Sequence, residues 1–91
     1  MRWAHRVDAN QGQIVSALRK CGVGVRSLAG IGDGMPDLLC YSTRSGYVLI
    51  EVKQPGEGLT DDQVKFHGDW PGRIHIVETV DEALRACRVT A

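Results

Sequence analysis

Three charged residues lie in segments where an apolar sheet is expected to exclude them. Asp37 follows Pro36 at the start of the apolar segment 38–40, and Glu51 and Lys53 alternate with aliphatic residues in segment 47–53. An ionised side chain removed from water is costly unless a partner charge or a metal compensates it. These residues therefore lie either at the rim of the sheet or in a functional site.

The same residue types suit phosphodiester hydrolysis. Asp37 and Glu51 supply oxygens of the kind that Mg²⁺ prefers, and the backbone carbonyl of Val52 is a further candidate ligand. A divalent cation activates water and stabilises developing charge, while Lys53 positions water or helps to deprotonate it. Taken singly, Glu-x-Lys is also typical of an exposed cross-strand pair, and Pro-Asp of a turn. Both interpretations stay open at this point.

A hairpin is predicted to bring the two carboxylates together. Segments 37–41 and 47–53 have the alternation of strands and are joined by the turn-forming residues 42–46. A turn of this length pairs Tyr41 with Tyr47 and places Asp37 opposite Glu51. Because side chains alternate along a strand, Glu51 and Lys53 share one face at a separation of about 6.6 Å.

The rest of the chain predicts three helices and two further strands. Helices are predicted over 9–21, over 61–70 and from residue 80 onwards, and the last two open with capping boxes at Thr60–Gln63 and Thr79–Glu82. Short strands are predicted at 23–29 and 73–77. The expected fold class is α/β, in the order α-β-β-β-α-β-α around a small mixed sheet.

Length and composition limit the class of protein. The 91 residues predict a single domain with a modest core, to which dimerisation would add buried area. The sequence has no apolar run of the roughly 20 residues that cross a bilayer, and residues 1–10 lack a signal-peptide core. A cytoplasmic protein without a membrane partner is expected. Cys21, Cys40 and Cys87 lack metal-ligand spacing and are predicted to be buried, reduced thiols.

Charge is unevenly distributed along a chain whose formal net charge is zero. Residues 1–26 carry five basic side chains against the single acid Asp8, whereas residues 54–91 carry four basic and seven acidic ones. The amino-terminal segment, with Arg2 and Arg6, is therefore predicted to form the electropositive surface that contacts nucleic acid. Ordinary solvated charge is the alternative interpretation for any single arginine.

In combination these motifs resemble the PD-(D/E)xK nuclease superfamily, and more narrowly the stand-alone virus-type replication–repair nuclease (VRR-NUC) domains of phages and bacteria. The resemblance covers nearly the whole chain. It rests on the stretches GDGMPDLL (32–39), LIEVK (49–53), LTDDQVKFHGDWPG (59–72), VDEALRA (80–86) and DANQGQIVSALRKCG (8–22).

The resemblance implies a restriction-endonuclease-like fold that cleaves DNA with Mg²⁺ or Mn²⁺. It implies that Asp37 and Glu51 bind the metal together with the Val52 carbonyl. Lys53 would be the catalytic lysine, and Gln63 would lie near the active site. It also implies a homodimer that acts on branched DNA such as four-way junctions. A non-catalytic DNA-binding module with the same fold is the alternative function.

The first helix departs from the family, which often carries a glutamate there. Asp8 is either a shortened substitute for it or the N-cap of the helix. Gln11 lies on the stripe of Ile14 and Leu18, so it is expected to face inward and is a second candidate to reach the site.

Four further residues have both a functional and a structural interpretation. Gly34 would let the backbone approach phosphate or would simply serve a turn, and Gln63 would also close the capping box of its own helix. Lys65 is a candidate DNA contact, whereas His67 is interpreted as a surface or packing residue rather than a catalytic one.

Overall fold

The computed structural model describes residues 9–90 and confirms the predicted order of elements. Asp8, Arg2 and Arg6 lie outside the described residues. The helices and strands are α1 (Ala9–Lys20), β1 (Gly24–Ser27), β2 (Leu38–Ser42), β3 (Gly46–Val52), α2 (Asp61–Asp69), β4 (Ile74–Val77) and α3 (Val80–Ala86). None of the helices in this part of the chain is long and apolar enough to cross a membrane.

The four strands form one mixed sheet in the order β1-β2-β3-β4. The first three strands are antiparallel neighbours, and β4 joins the edge of β3 in parallel. Tyr41 pairs with Tyr47 and Leu38 with Ile50, which confirms the predicted hairpin register. Since Asp37 directly precedes Leu38, this register brings it to the level of Glu51.

One face of the sheet carries the hydrophobic core beneath α1 and α3. Ile14 and Leu18 of α1 pack with the aliphatic side chains of the strands and with Leu84 of α3, and all three are buried. In β3 this face takes Ile50 and Val52, which leaves the residues between them to point towards α2.

The helix starts follow from local chemistry. Thr60 and Thr79 each accept a hydrogen bond from the backbone amide three residues later, and the side chains of Gln63 and Glu82 return the contact, so both predicted capping boxes are present. These boxes satisfy amides that would otherwise lack partners at a helix start. The cap on α2 also fixes where Gln63 lies relative to β3.

The thiols follow the prediction only in part. Cys40 and Cys87 are buried and free, but Cys21 is partly exposed at the end of α1, so the expectation of three buried thiols was wrong for Cys21. The chain turns at Gly22 directly after it, which leaves its side chain near the surface. A hydrogen bond with Cys87, together with burial, raises the pKa of the Cys40 thiol well above its ordinary value.

Candidate active site

Asp37 and Glu51 meet on the face of the sheet that α2 covers. The Glu51 side chain is fully buried, with 0% of its surface exposed. Asp37 is fixed beside it because its Oδ2 accepts a hydrogen bond of 2.7 Å from the backbone amide of Val52. The hairpin therefore orients one carboxylate through the backbone of the strand that carries the other.

The buried carboxyl of Glu51 is difficult to ionise. Burial first, and then hydrogen bonding with Asp37 and the negative charge of Asp37, raise its pKa from 4.5 to about 8. The positive charge of Lys53 acts in the opposite sense. Two carboxyl groups that are hydrogen-bonded to each other favour a shared proton unless a cation lies between them.

Lys53 is held next to this pair by Gln63. Only 4% of Lys53 is exposed, and its Nζ donates a hydrogen bond of 2.7 Å to Oε1 of Gln63. The Nε2 of the same Gln63 donates to Oε2 of Glu51 at 3.1 Å. Gln63 therefore links the lysine to the buried carboxyl. Glu57 lies farther from the ammonium, at 3.8 Å from Nζ.

Gln63 both closes the capping box of α2 and contacts Lys53 and Glu51. Its Oε1 accepts the backbone amide of Thr60 at 2.9 Å while it also accepts from Lys53. The capping box thus aims the side chain, and the site uses its two remaining bonds. A carbonyl oxygen has two lone pairs, so the two donors are compatible.

His67 is a site residue that the sequence interpretation missed. Its Nε2 lies 3.3 Å from Oε1 of Glu51, one helical turn beyond Gln63. Burial and the positive charge of Lys53 lower the pKa of His67, so the ring is neutral at pH 7. The spacing of Gln63 and His67 is the signal that could have found it, because residues four apart share one helix face.

Asn10 of α1 supports the end of β3, after Glu51, through hydrogen bonds to the backbone. Its Nδ2 donates to the carbonyl of Lys53 at 3.0 Å and to that of Glu78 at 3.2 Å, and Gln54 donates to its Oδ1 at 2.7 Å. The backbone amide of Lys53 is in turn bound by the carbonyl of Val77. The ends of β3 and β4 are therefore tied together at the lysine.

Gln11, the second candidate on the first helix, has no recorded hydrogen bond to Glu51 or Lys53 within residues 9–90, and its predicted role in the site stays a prediction. Gln11 lines a separate cavity of about 580 Å³ on the surface of α1, together with Val15 and Arg19. Asn10, four residues before the buried Ile14, is the residue of α1 that bonds the ends of β3 and β4.

The donor set fits a hard divalent cation with few protein ligands. Mg²⁺ is commonly bound by one or two carboxylates, with water and phosphate oxygens completing its shell. Asp37 and Glu51 supply two carboxylates, and a cation would favour the ionised form of Glu51, which burial disfavours. Within residues 9–90 no group of three or more His, Cys, Asp or Glu side chains offers a fuller cage. The predicted ligand role of the Val52 carbonyl stays a prediction.

Gly34 positions α2 over the site. It has a positive φ of 77°, and a Cβ built there would collide with the backbone carbonyl of Asp62 in the first turn of α2. The loop before β2 therefore touches the helix start that presents Gln63. This contact gives Gly34 a packing role besides the phosphate approach predicted for it.

Gly34→Ala is expected to lower the free energy of unfolding by about 2–5 kcal/mol, the sum of backbone strain and collision. Gly32→Ala is the matched control, because Gly32 also has a positive φ, 78°, but its Cβ would meet nothing within 4 Å. Its expected cost is about 1–2 kcal/mol from the backbone alone. Urea unfolding of both variants measures the difference, and equal losses would contradict the packing role.

Lys65 lies in unfavourable surroundings for a DNA contact. It lines a surface cavity of about 480 Å³ together with Asp33, Asp62 and Asp69. Three carboxylates around one ammonium give this surface a negative charge, which repels phosphate. The predicted contacts of Arg2 and Arg6 fall outside the described residues.

Comparison with protein families gave one match. The family model described as the VRR-NUC domain matches residues 2–69, well over half of the chain. The matched range includes Asp37, Glu51, Lys53 and Gln63 and ends with α2. Comparisons with curated proteins and with solved structures gave no match.

Proposed function

The chain belongs to the VRR-NUC family, a family of nuclease-type DNA-processing domains, and from this premise we propose that it is a metal-dependent DNA endonuclease. The observation that carries the proposal is the continuous set of contacts from Lys53 through Gln63 to Glu51, with Asp37 fixed beside it. A buried lysine next to two carboxyl groups is costly for a fold to keep. The set therefore has a more direct explanation in catalysis than in stability.

Asp37 and Glu51, with the Val52 carbonyl, would hold Mg²⁺ or Mn²⁺, a requirement typical of nuclease domains of this type. When bound, the cation supplies Lewis acidity towards water and towards the phosphodiester. The hydrogen bond from the Val52 amide keeps Asp37 in one orientation, so that the carboxylate need not reorganise during the reaction.

Lys53 supplies the positive charge nearest to the reacting group. Gln63 occupies one of the three N–H bonds of its ammonium, which leaves the others to hold water or a phosphate oxygen. Hydrolysis adds water across one P–O bond and leaves a phosphomonoester and a hydroxyl group. Lys53 stabilises the negative charge that develops on phosphate during this step.

We place the substrate among branched DNAs, such as four-way junctions, and the active form as a homodimer. A two-fold dimer presents two identical active sites, which matches the paired cuts that a branch point requires. The large exposed side chains Tyr41, Tyr47, Trp70 and Ile76 supply apolar surface that a second copy could bury. The family resemblance supports both parts of this proposal.

Cleavage of labelled four-way junction, flap, single-stranded and duplex DNA, with Mg²⁺, Mn²⁺ or a chelator, tests the proposal. We expect paired cuts in the junction that require the metal and that Asp37→Asn abolishes. Asparagine retains the oxygen that accepts the Val52 amide, so the loss would report charge rather than folding. Sedimentation of the same samples gives the oligomeric state. Binding without cleavage, unaltered by Asp37→Asn, would instead indicate a non-catalytic module.

A further inference from the structure

A second charged site lies at the opposite end of β3 from the catalytic residues. It is a cavity of about 540 Å³ between the β2–β3 turn, the start of β4 and the end of α3. Four arginines from these three segments line it, with a tyrosine and a histidine: Arg44, Arg73, Arg85, Arg88, Tyr47 and His75. No Asp or Glu is among the residues that line it.

The four guanidinium groups carry charge that the fold does not neutralise. The ion pairs recorded within residues 9–90 join Lys53 to Glu57 and His67 to Glu51, and none includes an arginine of this cavity. Burial, and then the charge of Arg73, lower the pKa of His75. Like charges gathered on one surface raise the free energy of the protein alone and attract a polyanion.

The chemistry of the cavity favours phosphate. A guanidinium group presents its donors in a planar fork that matches phosphate oxygens, and several together suit a chain of phosphates better than one small anion. All four arginines are exposed, so a long ligand can reach them without a change in the fold. The exposed ring of Tyr47, at 76%, borders the same cavity.

The position of the cavity relates it to the active site. Tyr47 is on the face of β3 that carries Glu51, four residues or about 13 Å away at the rise of an extended strand. Val48 and His75, which also line the cavity, are on the other face with Ile50, as is α3. The cavity therefore lies mainly on the α3 side of the sheet, next to the edge strand β4. Along the neighbouring edge strand, Ile76 pairs with Glu51 and Ile74 with Leu49, and Arg73 directly precedes Ile74. This edge has no acidic residue between the two sites.

We propose that the arginine cavity, formed by Arg44, Arg73, Arg85 and Arg88, binds the phosphate backbone of substrate DNA beyond the active site. The inference rests on the proposed nuclease function. It assigns an electropositive surface to the β4 edge on the α3 side of the sheet, whereas the acidic surface around Lys65 is formed largely by α2. Because this contact is with the phosphate backbone of the DNA, it positions the substrate without recognising its base sequence.

Binding of a fluorescent duplex in chelator, measured by anisotropy over a range of salt concentrations, tests the inference without cleavage. Arg73→Ala and Arg85→Ala are each expected to weaken binding and to reduce the slope of log K against log salt by about 0.9, the value for one lost phosphate contact. The double variant is expected to lose about twice that slope. Arg85→Lys, which keeps the charge, should recover most of the slope.

Arg26→Ala is the matched control for net charge. Arg26 is exposed on β1, at the other edge of the sheet, and its replacement removes the same single charge. Losses at Arg73 and Arg85 that do not exceed the loss at Arg26 would overturn the inference. A second result would also overturn it. If inorganic phosphate shifts the NMR signals of the His75 ring but does not weaken DNA binding, the cavity holds a free anion and not DNA.

Three further outcomes separate the possible failures. A change in sedimentation of the arginine variants, without a change in DNA binding, would make the cavity a contact between copies and overturn the inference. If wild type cleaves DNA while the cavity variants bind normally, the inference fails and the nuclease proposal stands. If wild type neither binds nor cleaves any of the DNA substrates, both the proposed function and the inference that rests on it fail.

Discussion

Lys53→Met is expected to lower the single-turnover rate of DNA cleavage by about 10²- to 10⁴-fold, the usual contribution of one positioned proton-transfer or charge-stabilising group. Methionine keeps an unbranched stem of similar length in the buried position and removes only the ammonium. Gln63 would keep its bonds to Thr60 and Glu51, so the arrangement of α2 over the sheet should persist.

Single-turnover measurements at saturating Mg²⁺ check this expectation, because they separate the chemical step from DNA binding. Lys20→Met is the matched control, since Lys20 is exposed in the last turn of α1 and makes the same change in charge and shape. A Lys53→Met variant that keeps more than about a tenth of the wild-type rate would contradict the role of the lysine, given the usual size of such effects.

Glu51→Gln is expected to remove the fall in stability that Glu51 causes in wild type between pH 6.5 and pH 8 in chelator. In wild type the folded protein holds a proton on Glu51 up to a pKa of about 8, whereas the unfolded chain releases it near 4.5. The free energy of unfolding therefore falls as pH rises through this range, by about 1.4 kcal/mol for each pH unit. From pH 6.5 to pH 8 the loss is about 2 kcal/mol.

The lower limit of this range is set by the histidines. Lowered pKa values of His67 and His75 add stability as pH rises towards 6.5 and have little effect above it. Cys87, whose pKa is lowered from 9.0, contributes equally to both proteins and cancels in their difference. Urea unfolding at intervals of pH, with wild type and Glu51→Gln in parallel, gives that difference. Parallel pH profiles for the two proteins would rule out Glu51 as the source.

Metal addition extends the same experiment. A cation bound by Asp37 and Glu51 stabilises the ionised carboxylate, so Mg²⁺ should stabilise wild type more at pH 8 than at pH 6.5. Glu51→Gln should respond weakly at both values. This comparison reports on the metal without depending on cleavage.

Local signals were sufficient to predict the framework of the site. The two capping boxes located α2 and α3, and the length of the β2–β3 turn gave a register that the structure confirms at Tyr41 and Tyr47. Because strand alternation is rigid, that register also placed Asp37 at the level of Glu51. Each of these signals acts over a few residues along the chain.

Contacts between distant segments were not predictable in this way. Asn10 reaches the carbonyl of Glu78, a contact across 68 positions, and no periodicity distinguishes it from Gln11 at the resolution of one helical turn. The arginine cavity was hidden because residues 54–91 are acidic by count. Three of its arginines come from that range, but they gather on one side of the fold with Arg44 while the acids lie elsewhere.

The hydrogen bonds of Asn10 determine when, during synthesis of the chain, the site becomes fixed. A nascent chain that has emerged only through α2 already contains Asp37, Glu51, Lys53 and Gln63 of the candidate active site. It still lacks the Val77 carbonyl that binds the Lys53 amide and the Glu78 carbonyl that shares Asn10. Because domains are synthesised from the amino terminus onwards, the backbone carbonyls that fix the site are synthesised after the side chains that form it. A prematurely terminated chain would therefore carry the nuclease motif without the backbone bonds that fix its lysine.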